Sequence, residues 1–262
     1  MKNICVDLEV TDEEFLSIAN TLNFITNGSD EIEIETFFEN GFTWSHFLPA
    51  RIKQFIYNFK LQENSTCIKI KHPQNFIELG ETPTQIPEKG LNFFTKDEIL
   101  HVLYCYALGE VFAWDSIQNG NLVNHIIPIK TNESAPMSSG SKNLFDLHTE
   151  DAFHPYAEEF LSLMCVRNPQ KTPTIVCDID DVHIDEDIKN ILFEERFIIG
   201  ANIAHSVKKP VSKRSILFGD RNSPYMRINI NMIQEDENDK VANNALKILV
   251  EKMKGNCSGR LK

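Results

Sequence analysis

Basic residues are scarce in this chain of 262 residues: 26 lysines and arginines stand against 38 aspartates and glutamates, a formal net charge of −12. Such a surface repels phosphate backbones and anionic headgroups, so neither nucleic acid nor a membrane is expected as a partner. Long apolar runs are missing too. No stretch nears the roughly 18 residues that span a bilayer, and Asp7 follows the start too closely for a secretory signal. Also absent are the Gly-x-x-x-x-Gly-Lys phosphate loop, the Gly-x-Gly-x-x-Gly turn and the Gly-x-Ser-x-Gly elbow. Cys5, Cys67, Cys105, Cys165, Cys177 and Cys257 show no Cys-x-x-Cys spacing, which excludes a zinc knuckle or a local redox dithiol. They are expected to be free thiols that pack as small hydrophobes in a reducing, cytoplasmic compartment.

What is present is enough for a substantial core: 42% of the residues are apolar. Thr11-Asp12-Glu13-Glu14 and Thr95-Lys96-Asp97-Glu98 are capping boxes, each with a hydrophobic staple (Val10 with Phe15, Phe94 with Ile99). Apolar residues at helical spacing follow both, and Leu48 to Phe59 also reads as helix. The first 110 or so residues are thus mostly helix and loop. Beyond Gly109 the pattern changes to short, β-branched apolar runs: Val123 to Ile129, Phe160 to Val166, Pro173 to Cys177 and the period-two stretch Tyr225 to Ile230. These predict strands of an antiparallel sandwich or barrel. A last helix is predicted from about Asp236 to Met253.

The chemistry concentrates at Leu147-His148-Thr149-Glu150-Asp151-Ala152-Phe153-His154. On a strand, residues i and i+2 share a face, so His148 and Glu150 can offer an imidazole and a carboxylate to one metal ion. Two histidines and one carboxylate make the facial triad of non-haem Fe(II) oxygenases, which leaves positions open for co-substrate and O2. His-x-Glu alone is a weak signal, and a surface or core histidine is the commoner meaning of such a triplet. Asp151 faces the other way and fits a supporting role, and His154 fits a histidine hydrogen-bonded in a loop.

The block from Leu144 to Thr174 resembles the clavaminate synthase-like Fe(II)/2-oxoglutarate oxygenases, and within them the hydroxylases of free arginine, asparagine or lysine. Val166-Arg167-Asn168-Pro169 is similar to the family's Leu-Arg-Asn-Pro. Gly109 to Trp114, Gln118 to Val123, Phe193 to Phe197 and Gly219 to Pro224 follow in the family's order. The resemblance runs over roughly residues 95 to 250. It implies a mainly β fold with flanking helices, a double-stranded β-helix (jelly-roll) core, in one oxygenase domain over 1–262. Residues 1–110 would pack on the core and 111–262 would form the core and its insert.

The same resemblance implies Fe(II) as cofactor, with 2-oxoglutarate and O2 as co-substrates, and His148 and Glu150 as two of three iron ligands and as the catalytic pair. Gln118, Glu150 and Asp220 would bind the substrate, a carboxylate such as Asp220 suiting an ammonium or guanidinium. Ser134 to Ser141 would form part of a lid. The implied reaction is hydroxylation of an unactivated C–H bond of a free L-amino acid, basic by preference, lysine ahead of arginine. Both a monomer and a homo-oligomer fit this reading.

One family motif has no counterpart, the distal His-Gly-Arg with the arginine that clamps 2-oxoglutarate. The last histidine, His205, matches a loop position that does not bind metal, and Arg260 is the substitute for the clamp. The fold is therefore expected to lack its C-terminal strand or strands. A chain missing a segment of the working protein is favoured over a degenerate β-helix that only binds amino acids. A two-ligand halogenase-like enzyme is disfavoured by Glu150.

Overall fold

The computed structural model describes residues 3–62, 65–85, 92–135, 139–143, 146–201, 212–256 and 259–261. Contacts group them into two units, one of residues 1–141 with 162–170 and the other of 142–161 with 171–262.

The first unit comprises β1 (Asn3–Glu9), α1 (Asp12–Ile25), β2 (Glu31–Glu33), α2 (Ile34–Ser45), α3 (Ala50–Gln62), β3 (Ser65–Lys71), β4 (Phe93–Thr95) and α4 (Lys96–Leu108). Both predicted capping boxes are present at Thr11 and Thr95, with reciprocal side-chain bonds to Glu14 and Glu98. β1 and β3 pair in parallel, Cys5 opposite Cys67, and the helices between them supply the long crossover that parallel strands need. Ile18, Leu22, Phe37, Ile52, Ile56, Ile99 and Leu103 form its core.

One face of α4 is polar at four-residue spacing. Asp97 accepts the backbone N–H groups of Phe76 and Ile77 at 3.0 and 3.2 Å, and His101 Nε2 meets Ser162 Oγ at 2.7 Å. The segment 162–170 is held further by Asn75 Nδ2 on the Val166 carbonyl (3.4 Å) and Arg167 Nε on the Gly80 carbonyl (3.0 Å). Phe160 to Val166 is not a strand, against expectation; the Val166 carbonyl takes the Asn75 side chain where a strand would offer it a ladder N–H.

The second unit carries β5 (Thr174–Val176), α5 (Glu186–Leu192), β6 (Phe197–Ile199), β7 (Lys213–Arg214), β8 (Leu217–Asp220), β9 (Ser223–Met226), β10 (Ile233–Gln234), α6 (Lys240–Asn256) and β11 (Gly259–Leu261). The described strands are short. They form the sheet β10-β6-β7 and the pairs β8-β9 and β11-β5. Leu192, Ile199, Ile216, Leu217, Ile228, Ala245 and Leu249 are fully buried among them. One cysteine departs from the expected thiols: Cys177 is disulfide-bonded, whereas Cys5, Cys67, Cys105 and Cys165 remain thiols. Cys177 directly follows β5, where antiparallel β11 brings sequence-distant chain alongside.

No helix among the described residues is long and apolar enough to cross a membrane. In the first unit Arg51 bonds both oxygens of Glu14 (2.8 and 2.5 Å). That guanidinium, with the Thr11 N–H, holds the Glu14 carboxyl down to about 2. A depressed carboxyl stabilises above its ordinary value, near 4.5, and loses its contribution as pH falls through the folded value. The E14Q variant is therefore expected to melt lower than wild type at pH 7 and to lose less on acidification towards pH 2, as measured by thermal melts across pH.

Candidate active site

His148 and Glu150 lie where the chain makes a single antiparallel bridge, His148 opposite Asn229. The clasp beside it is Thr149. Its N–H donates to the Ile228 carbonyl (2.7 Å), and its Oγ1 accepts the Ile228 N–H (3.1 Å). Ile228 is buried in the core, so Thr149 is anchored inward. Alternation then sends the side chains of residues 148 and 150 the other way.

They converge there, with His148 Nε2 3.1 Å from Glu150 Oε1. His148 Nδ1 lies 2.7 Å from the Asp146 carbonyl oxygen. A carbonyl only accepts, so Nδ1 carries a proton, which leaves Nε2 as the nitrogen that faces Glu150 and the one that would bind a metal after giving up its own proton. This is how a second hydrogen bond orients a metal-binding imidazole. Without a metal, the Glu150 carboxylate raises the His148 imidazole above its ordinary value, more than burial lowers it. The two groups have the donor types and convergence that suit Fe(II), which would take the place of the proton on Nε2. Among the described residues no group of three His, Cys, Asp or Glu side chains is placed to hold a metal ion. His205 lies outside the described residues.

The neighbouring chain is constrained. Asp151 is buried with a left-handed φ of 42°, a conformation that costs a non-glycine residue energy and clusters at functional loops. The Glu158 carboxyl is pushed up by burial and then by the charges of Asp151 and Glu150. Glu158 Oε2 is buried without a hydrogen-bond partner. His154 Nδ1 accepts the Tyr156 N–H at 3.2 Å, the loop role expected of it.

The other predicted residues have local tasks of their own. Gln118, in the first unit, bonds both backbone groups of His125 (3.0 Å each). Its amide imitates a strand partner there, and Val123 to Ile129 is coil rather than the expected strand. Gln118, Asn119 and Gly120 all have positive φ (42°, 59° and 79°). The Ser134 to Ser141 loop is tied at its described ends by Ile129 N–H to Ser139 O and Ser141 N–H to Glu133 O, each 3.0 Å. Residues 136–138 lie outside the described set. Asp220, in the second unit, is exposed at the tip of the β8–β9 hairpin, where Oδ1 accepts the Asn222 N–H at 2.7 Å. Arg260 sits opposite Ile175 in the β11–β5 pair, and its side chain lies outside the described residues. Thr149, Asn229 and Glu158 escaped the sequence reading. The alternation of Tyr225 to Ile230 contained the signal for Asn229, since it sets Arg227 and Asn229 on the polar face.

The fold these elements make is similar to that of a solved non-haem iron oxygenase. The structure of OrfP in complex with Fe and alpha-ketoglutaric acid matches 95% of this chain and 80% of its own, at TM-score 0.83 and 27% identity. By sequence the chain is related to amino-acid hydroxylases, which bears out the family resemblance and the reading as a 2-oxoglutarate-dependent dioxygenase. Enduracididine beta-hydroxylase of Streptomyces hygroscopicus is 28% identical over 255 residues, 87% of this chain and 75% of that protein. L-ornithine/L-arginine 3-hydroxylase of Catenulispora acidiphila is 29% identical over 238 residues, 79% of this chain and 68% of that protein. No protein-family model matches the chain.

Replacing Thr149 by valine keeps the shape but strands the Ile228 N–H. Unfolding in denaturant is expected to show a loss of about 1–2 kcal/mol. Fe(II) titration is expected to show weaker binding, because the side chains flanking the clasp lose their anchor.

Proposed function

We propose that this chain is an Fe(II)- and 2-oxoglutarate-dependent hydroxylase of a free basic L-amino acid, built on a double-stranded β-helix. The observation that carries this reading is the convergence of His148 Nε2 and Glu150 Oε1 at 3.1 Å with the imidazole tautomer fixed from behind. His148 and Glu150 would hold the iron. Once bound with 2-oxoglutarate and O2, the metal supplies the oxidising power to hydroxylate an unactivated C–H bond. The chain's own work is to hold the amino acid with one carbon facing that metal and to keep water away. Glu150 and Asp151, with Glu158 beside them, give this end of the second unit a negative field that favours a cationic side chain. Asp220 would meet that cation, Gln118 the amino-acid end, and Arg260 the far carboxylate of 2-oxoglutarate. The related hydroxylases named above shift the weight from lysine towards guanidino and ornithine side chains.

The test is turnover of the full chain, loaded with Fe(II) under anaerobic conditions, then given 2-oxoglutarate, O2 and L-arginine, L-ornithine, L-lysine, L-asparagine or L-leucine. Succinate formation coupled to an amino acid carrying one added oxygen atom is expected with the basic members. Both H148A and E150A are expected to abolish it and to lose Fe(II) affinity in metal titrations. Iron-independent amino-acid binding with no 2-oxoglutarate turnover for any member would replace the proposal by a binding protein on the same fold.

A further inference from the structure

The β1–β3 ladder carries two thiols that neither the core nor the proposed site uses. The strands pair in parallel, Cys5 opposite Cys67, Val6 opposite Ile68, Asp7 opposite Lys69, Leu8 opposite Ile70 and Glu9 opposite Lys71. Opposite residues of such a pair point to the same side, and successive residues alternate. Leu8 is buried in the core of the first unit, and Ile68 and Ile70 pack against that core. Cys5, Asp7 and Glu9 therefore share the other face with Cys67, Lys69 and Lys71. That face is polar. Lys71 Nζ meets Asp7 Oδ2 at 2.6 Å and Glu9 Oε1 at 3.6 Å, and Lys69 Nζ meets Asp7 Oδ2 at 3.5 Å. Cys5 Sγ lies 3.7 Å from Asp7 Oδ1, and both thiols are half-buried. Two cysteines expected to pack as small hydrophobes thus stand side by side next to ion pairs, where core packing accounts for neither.

Neighbouring strands lie about 4.8 Å apart, inside the range of about 4.4–6.8 Å between α-carbons that a disulfide spans. The pair is one step from the end of the ladder, where Asn3 meets Ser65 and the backbone adjusts at least cost. Burial raises the Cys5 thiol above its ordinary value, and a hydrogen bond from Cys67 works against that rise. Burial and then Cys5 push the Cys67 thiol up to about 12, so Cys5 is the sulfur that ionises first. We propose that Cys5 and Cys67 are a dithiol–disulfide pair, oxidised by a low-molecular-weight disulfide, that fastens β1 to β3. The Cys5 thiolate attacks one sulfur of the small disulfide, forms a mixed disulfide and releases one small thiol. Cys67 gives up its proton, attacks the Cys5 sulfur and releases the second. Two protein thiols are oxidised, the small disulfide is reduced to two thiols, and the two protons pass to those leaving groups. The new bond closes a loop around α1, β2, α2 and α3, which removes freedom from the unfolded chain. The pair acts independently of iron and of the hydroxylase reading.

The test equilibrates the native full chain in mixtures of reduced and oxidised glutathione, alkylates the remaining thiols and maps the peptides by mass spectrometry without reduction. A Cys5 peptide linked to a Cys67 peptide is expected to appear as the oxidised share rises and to vanish with dithiothreitol. C67S is expected instead to hold glutathione on Cys5, which traps the first step. The oxidised wild type should melt about 5 °C or more above the reduced protein, and C5S and C67S should lack that difference. The pair is overturned if Cys5 and Cys67 of the wild type stay alkylated, or carry glutathione singly, at every ratio. It is equally overturned if either links instead to Cys105 or Cys165. A Cys5–Cys67 link that leaves the melting temperature unchanged overturns the fastening. The peptide map reads the wild-type chain, so it decides the pairing even where a serine variant does not fold.

Discussion

The position of the site depends on the clasp between Thr149 and Ile228. Ile228 belongs to the core of the second unit, and Thr149 bonds both of its backbone groups. The pleat does the rest, because a residue pinned inward sends its two neighbours outward together. A bridge one residue long therefore sets the relation between an imidazole and a carboxylate. The hydrogen bond from His148 Nδ1 to the Asp146 carbonyl then settles which nitrogen faces the carboxylate.

Strain and unsatisfied polarity occur in both units, beside His148 and Glu150 and also away from them, as at Asn27, Lys171 and His72 Nδ1. Asp151 takes a left-handed backbone directly after Glu150, and Gln118 with Asn119 does so in the first unit. Glu158 Oε2 and Arg214 Nε are buried without partners in the second. Structures tolerate such local costs where the rest of the packing over-determines them, and they cluster where ligands bind.

What the sequence revealed was local. The capping boxes at Thr11 and Thr95 are reciprocal interactions within four residues, and both formed as read. The His148–Glu150 convergence followed from strand alternation alone. What stayed hidden depends on partners distant in the chain. The parallel pairing of β1 with β3 joins segments about sixty residues apart, and α2 begins at Ile34, after an N-cap, Glu33, whose side chain makes no capping bond to announce it. The apolar runs at 123–129 and 160–166 carry strand composition, yet the Gln118 amide takes the backbone groups of His125 in one and the Asn75 amide takes the Val166 carbonyl in the other. Composition sees apolar residues and not where their backbone bonds go. The disulfide at Cys177 was hidden for the same reason.

The route of the chain between the two units has a consequence for dissecting the molecule. Residues 142–161 belong to the second unit, 162–170 return to the first, and the remainder belongs to the second again. Neither unit is a continuous stretch of polypeptide, so no single protease nick and no simple gene truncation yields either one whole. A fragment ending at Ser141 would leave His101 without Ser162, and one starting at Lys142 would carry nine residues whose anchors were left behind. The segment bearing His148 and Glu150 lies, along the chain, between two of these passages from one unit to the other.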